Sequence, residues 1–296
     1  MSVQLSVPYQ LPTGDCRPKV VATIPCFNTE PFIAGVVSKA RKHVDQVIVI
    51  DDGSLDGTVE AARAAGALVI GHGTNRGYGE AIKSCFEAAR VNNADVLVIL
   101  DGDGQHNPDE IPKLIAPILN EEADLVIGSR FLQPNQSVSQ ESRVTSPPLL
   151  PPNQDSRPST QDLRPVILDD RLSTADSRPA HMPRYRRFGI SVITFLFNFG
   201  ARAKVSDAQS GFRAYSKKIF EVLPFSEKGM SVSIEILEKA RRRRTIIGEV
   251  PISCFYVPST LNPKATRHGL GVALSVVRIR LKNSLHGLFR GNNARS

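Results

Sequence analysis

Short apolar runs alternate along this chain with segments whose apolar residues recur at helical spacing. Residues 47–50 and 96–100 are uninterrupted runs of Val, Ile and Leu, which is typical of strands buried on both faces of a sheet. The alternation predicts an α/β fold, with a mostly parallel sheet flanked by helices. The predicted strands are 19–24, 46–51, 67–70, 96–101 and 124–128, and the predicted helices are 31–43, 56–65, 79–91 and 109–122.

Residues 133–183 interrupt this alternation. They are rich in Ser, Pro, Gln, Asp and Arg and almost free of aromatic residues, which predicts disorder. A seven-residue repeat places Arg two positions after an acidic residue, at 141–143, 155–157, 162–164, 169–171 and 176–178. The prolines and the missing apolar seam exclude a coiled coil. Two interpretations remain open: a repeat expanded in a tolerant surface loop, or a tether that binds a partner through alternating Asp and Arg.

Regular patterns resume at Arg184. They predict an apolar helix with a basic start from 188, a strand at 208–215, a helix at 230–243 and an extended segment at 245–256. The last pattern, at 269–290, mixes apolar residues with Arg and Lys and fits a basic amphipathic helix. That helix either lies on a membrane surface or packs on the domain with its basic face in water.

The composition limits the class of protein. At 296 residues and 41% hydrophobic content, the chain can form one large α/β domain or two small ones. The net charge of +8 indicates an anionic partner, but the absence of Trp and of a recognised motif argues against nucleic acid. The cysteine spacing predicts reduced thiols in the cytosol. The sequence has no secretory pattern, and its longest uncharged stretch, 188–201, is too short to cross a bilayer as a helix.

Candidate chemistry begins where two predicted strands end. Asp101 and Asp103 follow one apolar run, with Gln105 two residues later, and together they offer the oxygen ligands that a hard divalent cation prefers. Asp51 and Asp52 end another run, where a carboxylate can accept hydrogen bonds from a nucleobase or ribose. Taken alone, either pair equally fits an acidic turn. Further motifs favour the chemical interpretation.

Six motifs occur in a fixed order. They are Pro25-Cys-Phe27-Asn28, Asp51-Asp52-Gly53-Ser54, Asn75-Arg-Gly77-Tyr-Gly79, Asp101-Gly-Asp103-Gly-Gln105-His106, Gly128-Ser-Arg130 and Asp207-Ala-Gln-Ser210-Gly211-Phe212. In combination the chain resembles family 2 glycosyltransferases of the GT-A fold, and within them the polyprenyl-phosphate branch typified by dolichol-phosphate mannose synthase. The likeness covers about 19–130 and 184–267.

The resemblance implies a metal site and a nucleotide-sugar site. Asp101, Asp103 and Gln105 match the metal-binding D-x-D-x-Q motif, with Mg²⁺ or Mn²⁺ as the cofactor on the donor diphosphate. Asp101 is also implied in donor binding. The other implied donor-binding residues are Pro25, Phe27, Asn28 and Asp52 around the base, and Arg267 near the phosphates. Thr29 stands where the family has a glutamate, so the bound base, in a UDP- or GDP-linked sugar, stays open.

The resemblance also implies an acceptor-phosphate site. Arg130 matches the Gly-Ser-Arg motif, and Arg187 with Ser191 matches an Arg-x-x-x-Ser helix. Guanidinium groups suit phosphate because they present paired donors. Asp101, Asp103, Arg130 and Arg187 are therefore the implied catalytic residues. A phosphate acceptor is already ionised and needs no base. We therefore favour a structural role for His106, in a turn, over a role as a general base.

Three further patterns of arginine and glycine allow more than one interpretation, and the last of them can be dismissed. Arg213 fits either the site or the surface, and the run 241–244 is typical of a solvated helix end. Gly71-His-Gly73-Thr-Asn-Arg-Gly77 superficially resembles a dinucleotide-binding turn, but it follows the third strand and has the wrong final spacing. A dehydrogenase would also leave Asp101 and Asp103 unexplained.

The resulting hypothesis is an inverting transferase that moves a hexose or N-acetylhexosamine onto a polyprenyl phosphate. It would lie on the cytosolic membrane face, held there by amphipathic segments or by a membrane-protein partner. The implied division is a polar tail (1–18), a nucleotide-sugar half (19–131), the repeat insertion (132–183), an acceptor half (184–267) and a basic end (268–296). The alternatives are a hydroxyl acceptor on a soluble molecule, polysaccharide or protein, for which His106 or Glu235 are candidate bases, and a non-catalytic sugar-nucleotide scaffold.

Overall fold

The computed structural model describes residues 17–132, 138–139, 182, 184–199, 204–222, 229–243 and 245–256. Eight strands in these residues form one sheet in the order β3-β2-β1-β4-β7-β5-β8-β6. The strands are β1 (Val20–Cys26), β2 (Gln46–Asp51), β3 (Leu68–Gly71), β4 (Val96–Ile99), β5 (Leu125–Ser129), β6 (Val138–Ser139), β7 (Arg213–Ser216) and β8 (Ile247–Pro251). The α-helices are α1 (Glu30–Ala40), α2 (Thr58–Ala64), α3 (Tyr78–Val91), α4 (Ile111–Leu119), α5 (Arg184–Asn198), α6 (Lys217–Phe220) and α7 (Val232–Arg242).

The sheet is mostly parallel, as the alternation predicts. Strands β1 to β4 are parallel to one another, and β5 is parallel to β8. The exception at the centre is β7, which lies antiparallel between β4 and β5. Because β7 separates these two strands, the loop that precedes it is brought to the carboxyl ends of both.

The core has two layers, one on each face of the sheet. Alternate residues of one strand enter different layers, as Leu97 and Val98 of β4 do. Helices α3, α5 and α7 cover the face of Leu97, and α1, α2 and α4 cover the face of Val98. Burial on both faces explains why the central strands are continuously apolar.

The structure corrects several predicted boundaries. Of the predicted strand 208–215, only 213–215 are extended and paired, within a strand that continues to Ser216, while 208–212 form a loop. The predicted helix 109–122 begins with a 3₁₀ turn, Pro108–Glu110, and ends at Leu119. Within the segment predicted to be disordered, that prediction is wrong for Val138 and Ser139, which pair with the edge of β8. The repeats and the segment 269–290 lie outside the described residues.

Helix α5 carries apolar side chains on its exposed face as well as its buried face. Ile190, Ile193 and Phe197 are buried, whereas Phe188 and Phe195 are 71% and 65% exposed, and Phe199, directly after the helix, is 69% exposed. Across the part of the chain that the structure describes, every helix is too short or too polar to span a bilayer.

Candidate active site

The candidate site lies at the carboxyl end of β4. Leu100 is buried, and beyond it Asp101 and Asp103 are each partly exposed. Gln105 fixes Asp103: its backbone N–H donates to Oδ1 at 3.1 Å, and its side-chain Nε2 donates to Oδ2 at 2.7 Å. The structure therefore places the Gln105 amide nitrogen against Asp103.

The two carboxyl groups are electrostatically unfavourable as a pair. Burial and the neighbouring Asp103 raise the pKa of Asp101 to about 7, and burial also raises the pKa of Asp103. Within the described residues neither forms an ion pair with Lys or Arg. These residues also hold no group of three or more His, Cys, Asp or Glu suited to a metal. Two oxygen-donor side chains that are not engaged in an ion pair with Lys or Arg fit a hard divalent cation.

Gly211 forms one wall of this acidic pair. A Cβ atom at Gly211 would overlap Oδ2 of Asp101 and would lie 2.9 Å from its Cγ and Oδ1 atoms. Gly211 belongs to the loop before β7, so the antiparallel strand brings this backbone against the metal-candidate carboxylate. Only a residue without a side chain leaves room for Asp101 here.

His106 is buried beside the pair. Its Nδ1 atom has no hydrogen-bond partner and lies 3.9 Å from Oδ2 of Asp101. Burial and the charge of Arg130 lower the pKa of His106 to about 3, so the ring is neutral at physiological pH. The residue also pairs with Cys254 in an isolated β-bridge, which supports the prediction that it is structural.

Arg130 is bound to Asp207. Its Nε and Nη2 atoms donate to the two carboxylate oxygens at 2.7 and 2.9 Å, and the two side chains are 7% and 0% exposed. Ser129 and Ser206 share a further hydrogen bond of 2.6 Å. The bidentate pair joins the end of β5 to the loop before β7, and the Arg130 guanidinium is largely occupied by it.

Near the start of α5, Arg186 rather than Arg187 acts electrostatically on the acidic pair. Arg186 lies 5.1 Å from the centre of the Tyr256 ring. Its charge offsets part of the rise in the pKa of Asp103, and, after Arg130 and Arg213, part of the rise in the pKa of Asp101. Arg187 and Ser191, the two residues predicted from the sequence, are exposed. Arg186 is four residues before Ile190 and seven before Ile193, so the helical spacing of the buried residues was the signal that could have found it.

The predicted base-binding residues lie at the ends of β1 and β2. Asp52 is buried and accepts from the Arg76 and Gly77 backbone N–H groups at 2.9 and 2.8 Å. The Asn28 Oδ1 atom accepts from Leu55 N–H at 2.8 Å, with Asn28 at a φ of 52°. Pro25 is buried within β1 and Phe27 is 43% exposed beyond it. Arg267 lies outside the described residues.

Comparison with known proteins identifies the family. The Glycosyl transferase family 2 model matches residues 22–223, which is more than half of the chain. The chain belongs to glycosyl transferase family 2. The UDP-N-acetylglucosamine–dolichyl-phosphate N-acetylglucosaminyltransferase of Methanococcus voltae is 29% identical over 256 residues, covering 79% of this chain and 84% of that protein. The undecaprenyl-phosphate mannosyltransferase of Micrococcus luteus is 34% identical over 119 residues, covering 38% of this chain and 48% of that protein.

Solved structures confirm the GT-A fold class. Glucosyl-3-phosphoglycerate synthase from Mycobacterium tuberculosis, in complex with UDP, has a TM-score of 0.60 and 19% identity, covering 88% of this chain and 79% of that one. The same enzyme in complex with Mn²⁺, UDP and glucosyl-3-phosphoglycerate has a TM-score of 0.56. At this identity the likeness concerns the fold alone.

The structure narrows the interpretation of two arginines of this family 2 chain. Arg213 is not a surface residue: it is 2% exposed and donates to the carbonyls of Ser233 and Ala208 at 3.0 and 2.9 Å. The run beginning at Arg241 does end α7, and Arg242 and Arg243 are exposed there. The Arg241 guanidinium instead packs inward, 3.6 Å from the Phe197 ring centre, and donates to the Phe197 carbonyl. The Phe197 carbonyl lies in the last turn of α5, where carbonyls have no partner within the helix.

Proposed function

We propose that this family 2 chain is an inverting, metal-dependent glycosyltransferase that transfers a hexose or N-acetylhexosamine from a nucleotide diphosphate sugar to a polyprenyl phosphate. The observation that carries the proposal is the position of Arg186. One helix, α5, directs this cation toward the Asp101–Asp103 pair and directs exposed phenylalanines toward solvent. A substrate with a phosphate head and a hydrocarbon chain complements both features.

The donor end of the site is acidic. We assign Asp101 and Asp103 as ligands of Mg²⁺ or Mn²⁺, with Gln105 orienting Asp103 through its two hydrogen bonds. When bound, the cation would neutralise the departing nucleoside diphosphate. Complexes of the mycobacterial enzyme with Mn²⁺ and UDP support the use of a metal, and the M. voltae relative named for UDP-N-acetylglucosamine supports a nucleotide diphosphate sugar as donor.

The acceptor end needs a cation rather than a base. A lipid phosphate is ionised at neutral pH, so the chain must only hold it in line with the anomeric carbon, against repulsion from the donor. Arg186 supplies the charge, and Arg187 and Ser191 lie near it in sequence on the same helix. The neutral His106 does not serve as a base here, because its pKa near 3 leaves little affinity for a proton. Direct attack inverts the anomeric configuration.

The apolar face of α5 suits a membrane surface. Phe188 and Phe195 are exposed on a helix that begins with four basic or aromatic residues, 184–187, and Phe199 is exposed directly after it. A basic start attracts anionic headgroups, and aromatic side chains partition into the interface. The cytosolic face is part of the proposal because nucleotide sugars are cytosolic donors. The polyprenyl-phosphate relatives support it.

The experiment that tests the function is a transfer assay. The full chain is incubated with UDP- and GDP-sugars and a short polyprenyl phosphate, with Mn²⁺, with Mg²⁺ or with EDTA. Metal-dependent glycolipid formation is expected. Nucleotide release that requires a soluble hydroxyl acceptor would contradict the lipid assignment and leave the metal assignment intact. Nucleotide binding without any turnover would contradict both the acceptor and the enzyme.

A further inference from the structure

Asp52 is fixed by three hydrogen bonds at the end of β2. Its Oδ1 atom accepts from the Arg76 backbone N–H at 2.9 Å and lies 2.8 Å from Nδ1 of His72. Its Oδ2 atom accepts from the Gly77 N–H at 2.8 Å. The Asp52 and His72 side chains are each only 6% exposed. A carboxylate held this tightly presents the same atoms to any ligand.

His72 is itself held at both ring nitrogens. A carboxylate accepts hydrogen bonds, so Nδ1–H donates to Asp52. The other nitrogen, Nε2, lies 2.8 Å from Oγ of Ser84 on α3, and in the neutral ring it accepts the hydroxyl proton. The Ser84–His72–Asp52 chain therefore connects α3 to the base-binding end of β2.

The turn beside Asp52 leaves little freedom to move. Gly53 has a φ of +78°, and a Cβ atom there would lie 2.5 Å from the Thr74 carbonyl carbon. The segment that supplies the Arg76 and Gly77 amides thus packs directly on the turn after Asp52. Contact between these two backbone segments therefore positions both the amide donors of Arg76 and Gly77 and the carboxylate of Asp52 that accepts from them.

The hydrogen-bond count leaves one free acceptor position. An ionised carboxylate has about four such positions, two on each oxygen. Oδ1 uses both of its positions, for Arg76 and His72, and Oδ2 uses one, for Gly77. Among the described residues no other group donates to the Asp52 carboxylate.

We infer that His72 is a positioning residue that makes the donor site select uracil over guanine. This inference rests on the proposed function only for the role of Asp52 beside the base. Uracil presents a single imide N–H between two carbonyls, which one free position on Oδ2 satisfies. Guanine presents two adjacent N–H groups, which a carboxylate pairs with by using both oxygens. Since Oδ1 is filled, guanine would bury one unpaired donor.

The test is calorimetric titration of the full chain with UDP, GDP, CDP and ADP, in Mn²⁺ and without acceptor. We expect UDP to bind at least about 10-fold tighter than GDP, the effect of one unpaired buried donor. Equal or tighter binding of GDP by the wild-type protein would overturn the inference. Because no acceptor is present, this result is independent of whether a lipid phosphate is the substrate.

Variants of the histidine test the positioning role. His72→Phe keeps an aromatic ring and frees Oδ1, so the UDP/GDP affinity ratio should fall toward one. His72→Asn places an amide N–H near the position of Nδ1 and should retain most of the ratio. Ser84→Ala removes only the outer bond and should have an intermediate effect. An unchanged UDP/GDP affinity ratio in folded His72→Phe would contradict the inference. If His72→Phe does not fold, the other two variants decide. An unchanged ratio in Ser84→Ala together with a low ratio in His72→Asn would then contradict the inference.

Discussion

Gly211 lies against the carboxylate of Asp101 so closely that a methyl group on its Cα atom would overlap Oδ2. Gly211→Ala is therefore expected to displace Asp101 and to abolish metal-supported transfer while the fold survives. Activity and Mn²⁺ binding by calorimetry measure this. Gly35→Ala in α1 is the matched control, because a Cβ there meets nothing within 4 Å and alanine favours a helix. Normal Mn²⁺ affinity in Gly211→Ala would contradict the prediction.

Asp101→Asn should change stability and activity in opposite directions. The folded pKa of about 7 exceeds the ordinary value of 3.8, so the carboxylate destabilises the metal-free protein as pH rises from about 4 to 7. At pH 8 the free energy of unfolding of the variant should exceed that of the wild type by on the order of 1 kcal/mol after solvent screening, and the variant should unfold at a higher temperature. Near pH 4 the two proteins should unfold at the same temperature.

Transfer by Asp101→Asn should fall more than about 100-fold, and Mn²⁺ should no longer stabilise the protein. Thermal unfolding at the two pH values, with and without Mn²⁺ and UDP, measures these effects. A variant that is less stable than the wild type at pH 8 would show that burial and the neighbouring Asp103 do not raise the pKa of Asp101.

Arg186 and Arg187 should separate in kinetics. Arg186→Gln is expected to lower kcat/KM for the polyprenyl phosphate by about 10- to 100-fold, the effect of losing a charged hydrogen bond. Its affinity for UDP should change much less. Arg187→Gln should have a smaller effect, because that side chain is exposed. Arg63→Gln, at the exposed end of α2, controls for the loss of charge. A larger defect in Arg187→Gln than in Arg186→Gln would show that Arg187, the residue assigned from the sequence motif, acts on the acceptor phosphate.

The Arg130–Asp207 pair should be structurally essential. Asp207→Asn leaves a buried guanidinium without its anion, which costs about 3–5 kcal/mol. Arg242→Gln removes an exposed pair with Glu238 and should cost less than about 1 kcal/mol. Urea unfolding of both variants measures the difference. Equal stability of the two would mean that solvent reaches the buried pair.

The phenylalanines of α5 should govern membrane binding. Phe188→Gln together with Phe195→Gln should reduce flotation with anionic liposomes by at least about 10-fold, because each removes exposed apolar area that a bilayer would bury. Val91→Gln, which changes a residue 70% exposed on α3, is the control. Soluble nucleotide binding should be unaffected. Unchanged flotation would place the lipid-binding surface elsewhere in the chain.

The parallel part of the fold could be predicted because its physics is local. Strands buried on both faces are continuously apolar, so β1, β2 and β4 can be recognised without knowledge of their neighbours. Since parallel strands end at one edge, the same pattern places Asp52 and Asp101 at a common edge. Both conclusions depend on residues that are adjacent in sequence.

The remainder depends on residues that are distant in sequence. The apolar residues Ala208 and Phe212 suggested a strand, but they are buried in the loop that carries Gly211 to Asp101. Arg130 pairs with Asp207 across the whole insertion, and no local pattern reveals that contact. The contacts of His72 with Asp52 and Ser84 gave no signal in the sequence, because they form only when α3 and β2 are packed together.

The position of β7 has a consequence for the order of folding. Val96 of β4 pairs with Ser216 and Leu125 of β5 pairs with Tyr215, so the centre of the sheet closes only after the insertion has left the ribosome. Until then β4 and β5 each present an unpaired edge, and pairing over such a separation is slow. The entropy cost of closing a loop rises only with the logarithm of its length. Each repeat added between β5 and β7 therefore lengthens the aggregation-prone interval during synthesis in proportion to its length. The stability of the finished protein falls only slightly with each addition.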